Sequence, residues 1–590
     1  MSANAGTMDG SAFTAEAGKH PKGLYVLFAT EMWERFSFYS MLALFTLYLR
    51  DPTEGFGWTA SEATSLYANY LMFVYASPLI GGLIADRITG YRKAVMIGGF
   101  FFMAGHGLLS IPALWAVYLA LTCLVIGNGF FKPNVSTMVG NLYPEGSHLK
   151  DRAYNIFYMG INVGAFLAPI VMEIVRQNFG FHPAFAVAAF GMVISVAILW
   201  YFKDLVAHTD IKNARGKVVV GDNVSEDSAL RDANQAADTA ATATDLPPHG
   251  ISDQDEGANR TAGGDAGRQS RMDAVPNWKR VVALVVVFAI VIVFWMVFHQ
   301  NGSTLTYFAD DNTDWNVSGT ISNSINAFWV LALTFPLVWF WGFLDRRGKE
   351  PATPTKMAIG MTLTGLSFLV LWLGASNGEQ ATKTPEQLAG GQFRINERVL
   401  TNLGNAGVSK ESQDRIQNEK IDSAGVLTTG PCPEGKTCKN TIFGVKFEAK
   451  TDEKTKIMTS GQDQLIAAVN AAAPGAGNVS RDAILQNAYL FRVSPFWLIL
   501  AYAIVTLGEL MLSPMGLSLV SKVAPISIRG LMMGGWFVAT AIGNKLTQIG
   551  IYWDIWLQST FFLVLALMAL FMAVVLALLL KPLKRAMPGV

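Results

Sequence analysis

Apolar stretches of about twenty residues, enough to cross a bilayer as a helix, recur near 23–49, 61–85, 93–112, 114–140, 152–177 and 183–203. They return near 279–308, 319–344, 356–375, 493–520, 528–553 and 556–580. The pattern predicts an all-α membrane protein with twelve transmembrane helices in two six-helix bundles. Between the sets, "DSALRDANQAADTAATATDLPPHGISDQDEGANRTAGGDAGRQSR" is almost free of large apolar side chains and reads as a flexible linker. A second interruption, 376–492, reads differently: "EQLAGGQFRINERVLTNL" has a helical pattern and "IFGVKFEAK" alternates like a half-buried strand. A small folded extramembrane domain is expected there.

Basic residues orient the spans. "DRITGYRK" after span two, "DRRGKE" after span eight, "SKVAPISIRG" after span ten and "KPLKR" at the end share one side if both termini are cytoplasmic. The expected division is a cytoplasmic tail 1–22, an N-terminal six-helix bundle 23–203, a cytoplasmic linker 204–278 and helices seven to nine over 279–375. An extracytoplasmic insertion 376–492, helices ten to twelve over 493–581 and a cytoplasmic tail 582–590 follow. The halves also echo each other. "GGLIADR" ends span two and "WGFLDRR" ends span eight, while Gly127 precedes Pro133, and Gly508 precedes Pro514, by the same six residues. A duplicated six-helix unit explains this, as does chance matching of common membrane residues.

Composition agrees with a membrane protein: 51% of the 590 residues are apolar and 15% charged. Lysine and arginine number 45 against 44 acids, so the charge balance gives no argument for a nucleic-acid partner. The first twenty residues lack the basic patch, short apolar core and cleavage site of a removable signal, which leaves insertion to the first span. Cys123 lies in an apolar run. Cys432 and Cys438, in "PCPEGKTCK", have neither a second cysteine pair nor nearby histidines, so a metal site is poorly supported. A small disulfide loop is preferred to free thiols if the segment faces an oxidising compartment.

Charges inside the spans carry the chemistry. "ATEMWERFSFYS" sets Glu31, Glu34, Arg35 and Tyr39 on one face of span one. One charge at mid-bilayer costs roughly 2.5 to 3.5 kcal/mol on insertion scales, so this face is expected to point into the protein. A glutamate that burial pushes one way and an arginine the other can take up and release a proton; a static ion-pair cluster is the competing reading. Span four carries "GNGFFKPN", with Lys132 roughly 12 Å of helix from the cytoplasmic end, deep for a snorkelling lysine. Span ten carries "LGELMLSPMGLSLV", whose Glu509 needs a partner or a proton.

If the halves close on one another, Arg35 and Lys132 form a cationic wall opposite an anionic Glu509. A dipeptide, about 7 Å long when extended, presents the matching carboxylate and ammonium. Asn162 and Asn326 offer donor and acceptor groups for a backbone amide. Tyr39, Tyr75, Trp295 and Trp536 would provide aromatic walls, although such residues also serve plain packing. At the cytoplasmic mouth Asp86, Arg87 and Arg92, with Asp345 and Arg346 in the echoing loop, are gating candidates or purely topological charges.

These residues resemble a known family. Glu31, Glu34, Arg35, Phe36 and Tyr39, the "FKPN" around Lys132, "FYMGINVG", "HQNGSTL" after Trp295 and "GELMLSPMGLS" together look like the proton-dependent oligopeptide transporters of the major facilitator superfamily, over all twelve spans but neither insertion. The resemblance implies symport of di- and tripeptides with protons by alternating access, with no cofactor beyond the proton gradient. It implies that Glu31, Glu34 and Arg35 couple proton to substrate with Lys132 assisting, that Arg35 and Lys132 also meet the peptide carboxylate, and that Glu509 holds its amino terminus. Tyr39, Tyr75, Asn162, Trp295, Asn326, Ser513 and Trp536 would line the pocket. The chain departs from the pattern at Phe38, where a tyrosine hydroxyl is lost, at Ala327, where a proline is common, and at His299, which replaces an acid and would bind its proton as a cation. The linker holds no candidate for the extra helix pair of some relatives.

The expected partners are peptides, protons and the lipid bilayer, with the protein a monomer in a bacterial inner (plasma) membrane. A carrier of nitrate or an amino acid on the same fold, or a peptide receptor that does not transport, stays open. A membrane enzyme does not: the spans hold no paired-aspartate, Ser/His or HExxH arrangement.

Overall fold

The structure, a computed structural model, describes residues 20–143, 149–210, 275–315, 318–381, 383–422, 426–430, 432, 438–451, 458–476, 481–525 and 529–587. Six long helices form the first half: α1 (Lys22–Arg50), α2 (Ala60–Ile84), α3 (Tyr91–Leu109), α4 (Leu114–Asn141), α5 (Leu149–Phe179) and α6 (Phe181–Tyr201). The second half holds α7 (Asn277–Phe298), α8 (Ser322–Arg346), α9 (Thr353–Gln380), α10 (Pro495–Val523), α11 (Arg529–Leu546) and α12 (Gln558–Ala586). Among the described residues nine helices are long and apolar enough to cross a membrane. The charges of Glu31, Glu34 and Arg35 keep α1 out of that set.

Most of the expected 204–278 linker lies outside the described residues; its start is part of a 3-10 segment, Lys203–Thr209. Two predicted spans end early as α-helix. The seventh gives way at His299 to a 3-10 turn, His299–Gly302, and a short helix, Thr304–Asp311. Here the Gln300 amide bonds the Met296 and Thr547 carbonyls, and the Tyr67 ring fills the space beside Gly302 that a Cβ would need. The eleventh continues beyond Leu546 as a 3-10 segment, Thr547–Asp554.

The packing repeats after six helices. In the first half α1 lies on α5 and α6, α3 on α4 and α6, and α2 on α4. In the second, α7 lies on α11 and α12, α9 on α10 and α12, and α8 on α10. The halves meet through α2 with α11 and α5 with α8, pairs that exchange under the same shift. Close backbone contacts repeat as well: Gly98 faces Gly127 between α3 and α4, and Gly360 faces Gly508 between α9 and α10, where a Cβ on either would lie 2.7 Å from the other's carbonyl oxygen. Small residues allow such contacts where lipid gives apolar faces no reason to associate.

Local chemistry sets other boundaries. Thr59 and Glu62 form a reciprocal capping box at the start of α2. In α4, Pro133 has no N–H for the Gly129 carbonyl, and that carbonyl meets Gly81 of α2 so closely that a Cβ there would lie 1.8 Å from the oxygen.

Each half has its own apolar core, around Phe45, Phe102 and Phe131 in the first and Phe294, Phe308 and Phe562 in the second. The insertion has a third, around Phe393, Leu403, Ile416 and Leu465. The helix expected over 386–403 is broken: Gly390 and Gly391 end a short helix, Phe393–Arg394 pairs as a strand with Lys446–Phe447, and Asn396 caps a new helix, Glu397–Asn405. Strands 419–422, 427–429 and 438–440 form a separate antiparallel sheet beside a disulfide between Cys432 and Cys438.

Replacing Gly81 by leucine is expected to force α2 and α4 apart and cost about 1 to 3 kcal/mol or more. Gly107→Ala, where an added Cβ meets open space, should be neutral or slightly stabilising. Thermal unfolding of the detergent-purified variants checks the pair, and equal midpoints would contradict the packing argument.

Candidate functional site

The charged stripe of α1 faces the interior. Glu31, Glu34 and Arg35 are each at most 1% exposed, and Arg35 serves both acids. Its Nη2 donates to Glu34 Oε1 at 2.6 Å, its Nε donates to the other Glu34 oxygen, and the same Nε lies 3.3 Å from Glu31 Oε1. The second Glu31 oxygen is buried without a hydrogen-bond donor among the described residues. Gly160 and Gly164 of α5 bring that helix against Phe28, Met32 and Arg35 and close the stripe on one side.

Lys132 of α4 is also buried, at 4% exposure. It acts electrostatically on Glu31 and stands 5.3 Å from the ring centroid of Tyr75. Arg35 and Lys132 line one cavity with Phe38, Val74, Tyr75, Pro78, Asn128 and Phe537. Side chains of α1, α2 and α4 meet one of α11 there, so the cavity lies between the halves and has two cations on its wall. As it stands it holds roughly one water molecule.

Across the interface, Glu509 of α10 is fully buried. Asn326 of α8 donates from Nδ2 to Glu509 Oε2 at 3.1 Å and to Thr506 Oγ1 at 2.9 Å. Tyr39 connects the poles, lying within electrostatic reach of Arg35, Tyr75 and Glu509. A row of rings also crosses between the halves: Trp295 lies 5.0 Å from His299, and His299 lies 5.7 Å from Tyr75. His299 Nδ1 is 3.3 Å from the Trp295 carbonyl.

Other candidates lie elsewhere or face other partners. Asn162 is buried and spends its amide N–H on Tyr158 of its own helix at 3.0 Å. Trp536 packs on Gly516 and Phe288 inside the second half's core. The indole N–H groups of Trp295 and Trp536 and the Ser513 hydroxyl are buried with no partner among the described residues. Arg92 holds Asp210 through its backbone N–H at 3.0 Å and its Nε at 3.7 Å, so these contacts stay within the first half. Arg346 is exposed at the last turn of α8. The side chains of Asp86, Arg87 and Asp345 lie outside the described residues.

Several residues of the site escaped the sequence reading. Asn128 lies one turn before Lys132 and donates to the Val74 carbonyl at 2.7 Å; Thr506 lies three residues before Glu509. Helical spacing from an intramembrane charge was a signal for both. Nothing in the sequence marked Phe537. Among the described residues no group of three or more His, Cys, Asp or Glu is placed to hold a metal ion.

A family model described as the POT family matches residues 92–423 and 458–552. The "Uncharacterized transporter YclF" of Bacillus subtilis (strain 168) is 26% identical over 598 residues, covering 97% of this chain and 96% of that protein. The "Di-/tripeptide transporter" of Lactococcus lactis subsp. cremoris is 25% identical over 586 residues, 97% of each. A crystal structure of peptide transporter POT in complex with sulfate shares the fold, with a TM-score of 0.65 at 24% identity over 99% of this chain and 100% of that one. With its apolar helices and this match over most of its length, the chain belongs to the POT family of the major facilitator superfamily and is an integral membrane transporter, not an enzyme.

Proposed function

We propose that the protein is a proton-coupled symporter that imports di- and tripeptides as a monomer, by alternating access, with both termini cytoplasmic. Relatives described as di- and tripeptide transporters support the substrate class. The observation that carries the mechanism is that Arg35 is shared by two buried glutamates while it faces, with Lys132, a cavity between the halves.

Arg35 cannot lose its proton, so its partners must change instead. A proton arriving at Glu31 or Glu34 neutralises one acid and loosens its hold. The guanidinium is then available to a peptide carboxylate, with Lys132 as the second cation. The peptide ammonium takes Glu509, where Asn326 already fixes one carboxylate oxygen. One proton falling through 100 mV releases about 2.3 kcal/mol, enough for roughly fortyfold accumulation of a neutral peptide.

The cavity that Arg35 and Lys132 line has room for about one water and not for a dipeptide, so in the proposed cycle loading there requires the halves to part. At the end where α1 finishes and α2 begins they are tied by hydrogen bonds: Thr46 to the Gly302 carbonyl at 3.1 Å, Ser65 with Gln548 at 3.3 Å, Asn69 with Lys545, and Glu173 with Ser318 at 2.5 Å. We assign this as the outer end, closed here. Breaking these contacts while the opposite end seals is the alternating motion.

Uptake of labelled dialanine into proteoliposomes, with and without an imposed proton gradient, tests the proposal: gradient-stimulated accumulation is expected, and its absence would refute it. Glu31→Gln and Glu34→Gln should each abolish gradient-driven uptake while sparing counterflow between preloaded vesicles and medium; driven uptake at the parent level in both would contradict the proton assignment. Glu509→Gln should lower apparent affinity for dialanine at least about tenfold, the equivalent of about 1.4 kcal/mol, and an unchanged affinity would remove Glu509 from the amine site.

A further inference from the structure

The insertion between α9 and α10 does not hang free of the membrane halves. It holds both at the outer end, at three places.

The first is a buried charge cluster. Asp311, at the end of the short helix after α7, pairs with Arg394 of the insertion and lies 3.9 Å from Arg50 at the end of α1. Lys446 of the insertion stands 3.7 Å from Asp311 and from Asp310, and donates to the Asp310 carbonyl at 3.0 Å. Asp311, Arg394 and Arg50 have side chains no more than 10% exposed, so this is an interior junction of three bodies. The antiparallel pair Phe393–Arg394 with Lys446–Phe447 sets the two basic residues side by side, opposite each other in register.

At the second place Asp554, just after α11, accepts from the insertion's Asn396 at 3.4 Å and from the backbone N–H of Ala60, the first residue of α2, at 3.1 Å. Glu397 adjoins this junction. Burial, and after it the charges of Asp554 and Glu62, raise its carboxyl above the ordinary range.

At the third place the insertion grips the first half directly. Lys439 donates to the Thr53 carbonyl and Asn440 to the Gly57 carbonyl at 2.7 Å. Gly57 has φ +62°, and a Cβ there would meet the Asn440 backbone nitrogen at 3.1 Å. The loop between α1 and α2 thus approaches the insertion as only a glycine can without strain.

We infer that the 376–492 insertion is an outer clasp, a third body whose bonds to both halves hold the outer end closed and must be released in every transport cycle. The inference rests on the alternating-access reading above. Its logic is that each junction joins residues whose separation the outward opening requires. Arg50 and Asp311 belong to different halves, as do Ala60 and Asp554, and the insertion adds its own side chain to both pairs. If the insertion moves with the second half alone, Lys439 and Asn440 must leave Thr53 and Gly57; if it moves with the first, Arg394 and Lys446 must leave Asp310 and Asp311. In either case an ionic or hydrogen-bonded contact breaks during opening.

Two measurements on the full-length protein decide it. Thr53→Cys with Lys439→Cys, on a Cys123→Ser background, is joined by a short bis-maleimide in proteoliposomes. Dialanine uptake should fall at least tenfold on cross-linking of this pair or, in a separate variant on the same background, of Asp310→Cys with Lys446→Cys, with every single-cysteine variant unaffected by the reagent; transport at the untreated rate with each pair in turn fully cross-linked overturns the clasp. Separately, spin labels at Asn178→Cys, at the outer end of α5, and Leu557→Cys, just before α12, report the gap between halves. Arg394→Gln with Lys446→Gln should shift the distance distribution toward longer separations, and a distribution identical to the parent overturns the inference. If the unmodified protein accumulates no dialanine, the transport proposal fails while the label distances still judge the clasp.

Discussion

Three ionisable side chains of one helix meet out of reach of water, and the rest of the architecture is arranged around that fact. Neither Glu31 nor Glu34 tolerates burial as an isolated charge, and Arg35 cannot discard its own. Each therefore depends on the others: the guanidinium grips Glu34 through two donors of a fork that lysine lacks and reaches Glu31 as an ion pair. Such a cluster is stable only while its charges match. A change at one member obliges another to find a new partner, and the nearest open space is the cavity that Arg35 shares with Lys132. The proposed coupling of proton and peptide needs no longer chain of events than this exchange.

The boundary between the halves, which moves in the proposed cycle, lies next to that cluster. Within each half, glycines let α3 meet α4, and α9 meet α10, at backbone contact, and large aromatic cores fill the remainder. Close packing of this kind resists small deformations. Between the halves apolar side chains such as Leu337 and Met511, the Tyr75–His299 ring pair and the Arg50–Asp311 ion pair are in contact as well. Dispersed hydrogen bonds such as Thr46 to Gly302 and Ser65 to Gln548 join them there, each contributing net only about 0.5 to 1.5 kcal/mol. The insertion, with its own core, adds ionic contacts to that boundary.

Much of this was legible in the chain. Runs of apolar residues located the long helices because a bilayer demands a fixed length, and the stripe of Glu31, Glu34 and Arg35 announced an interior face because lipid forbids such a charge density. Lys132 and Glu509 were legible for the same reason, and both are buried. Less legible were places where tertiary contacts override local pattern. The α-helical part of the seventh span ends at Phe298, though apolar residues run further, since Gln300 finds acceptors at Met296 and Thr547. A helix expected across 386–403 is interrupted because Gly390 and Gly391 break it and Asn396 restarts it. Asn162 looked like a free amide but bonds its own helix. Trp536 looked like a pocket wall but fills a core.

The sequence by itself determined that this is a membrane protein and which of its charges must turn inward, and it raised the expectation of two similar halves and of a folded insertion, where the structure has a separate apolar core. These follow from hydration and from helical spacing, both of which act on residues close in the chain. Only the tertiary structure decided that Arg35 is divided between two glutamates, that Asn326 is the residue that holds Glu509, and that the insertion grips both halves through Asp311, Asp554 and Gly57. Those contacts join residues dozens to hundreds of positions apart or depend on the rotation of single side chains, and no local pattern records either.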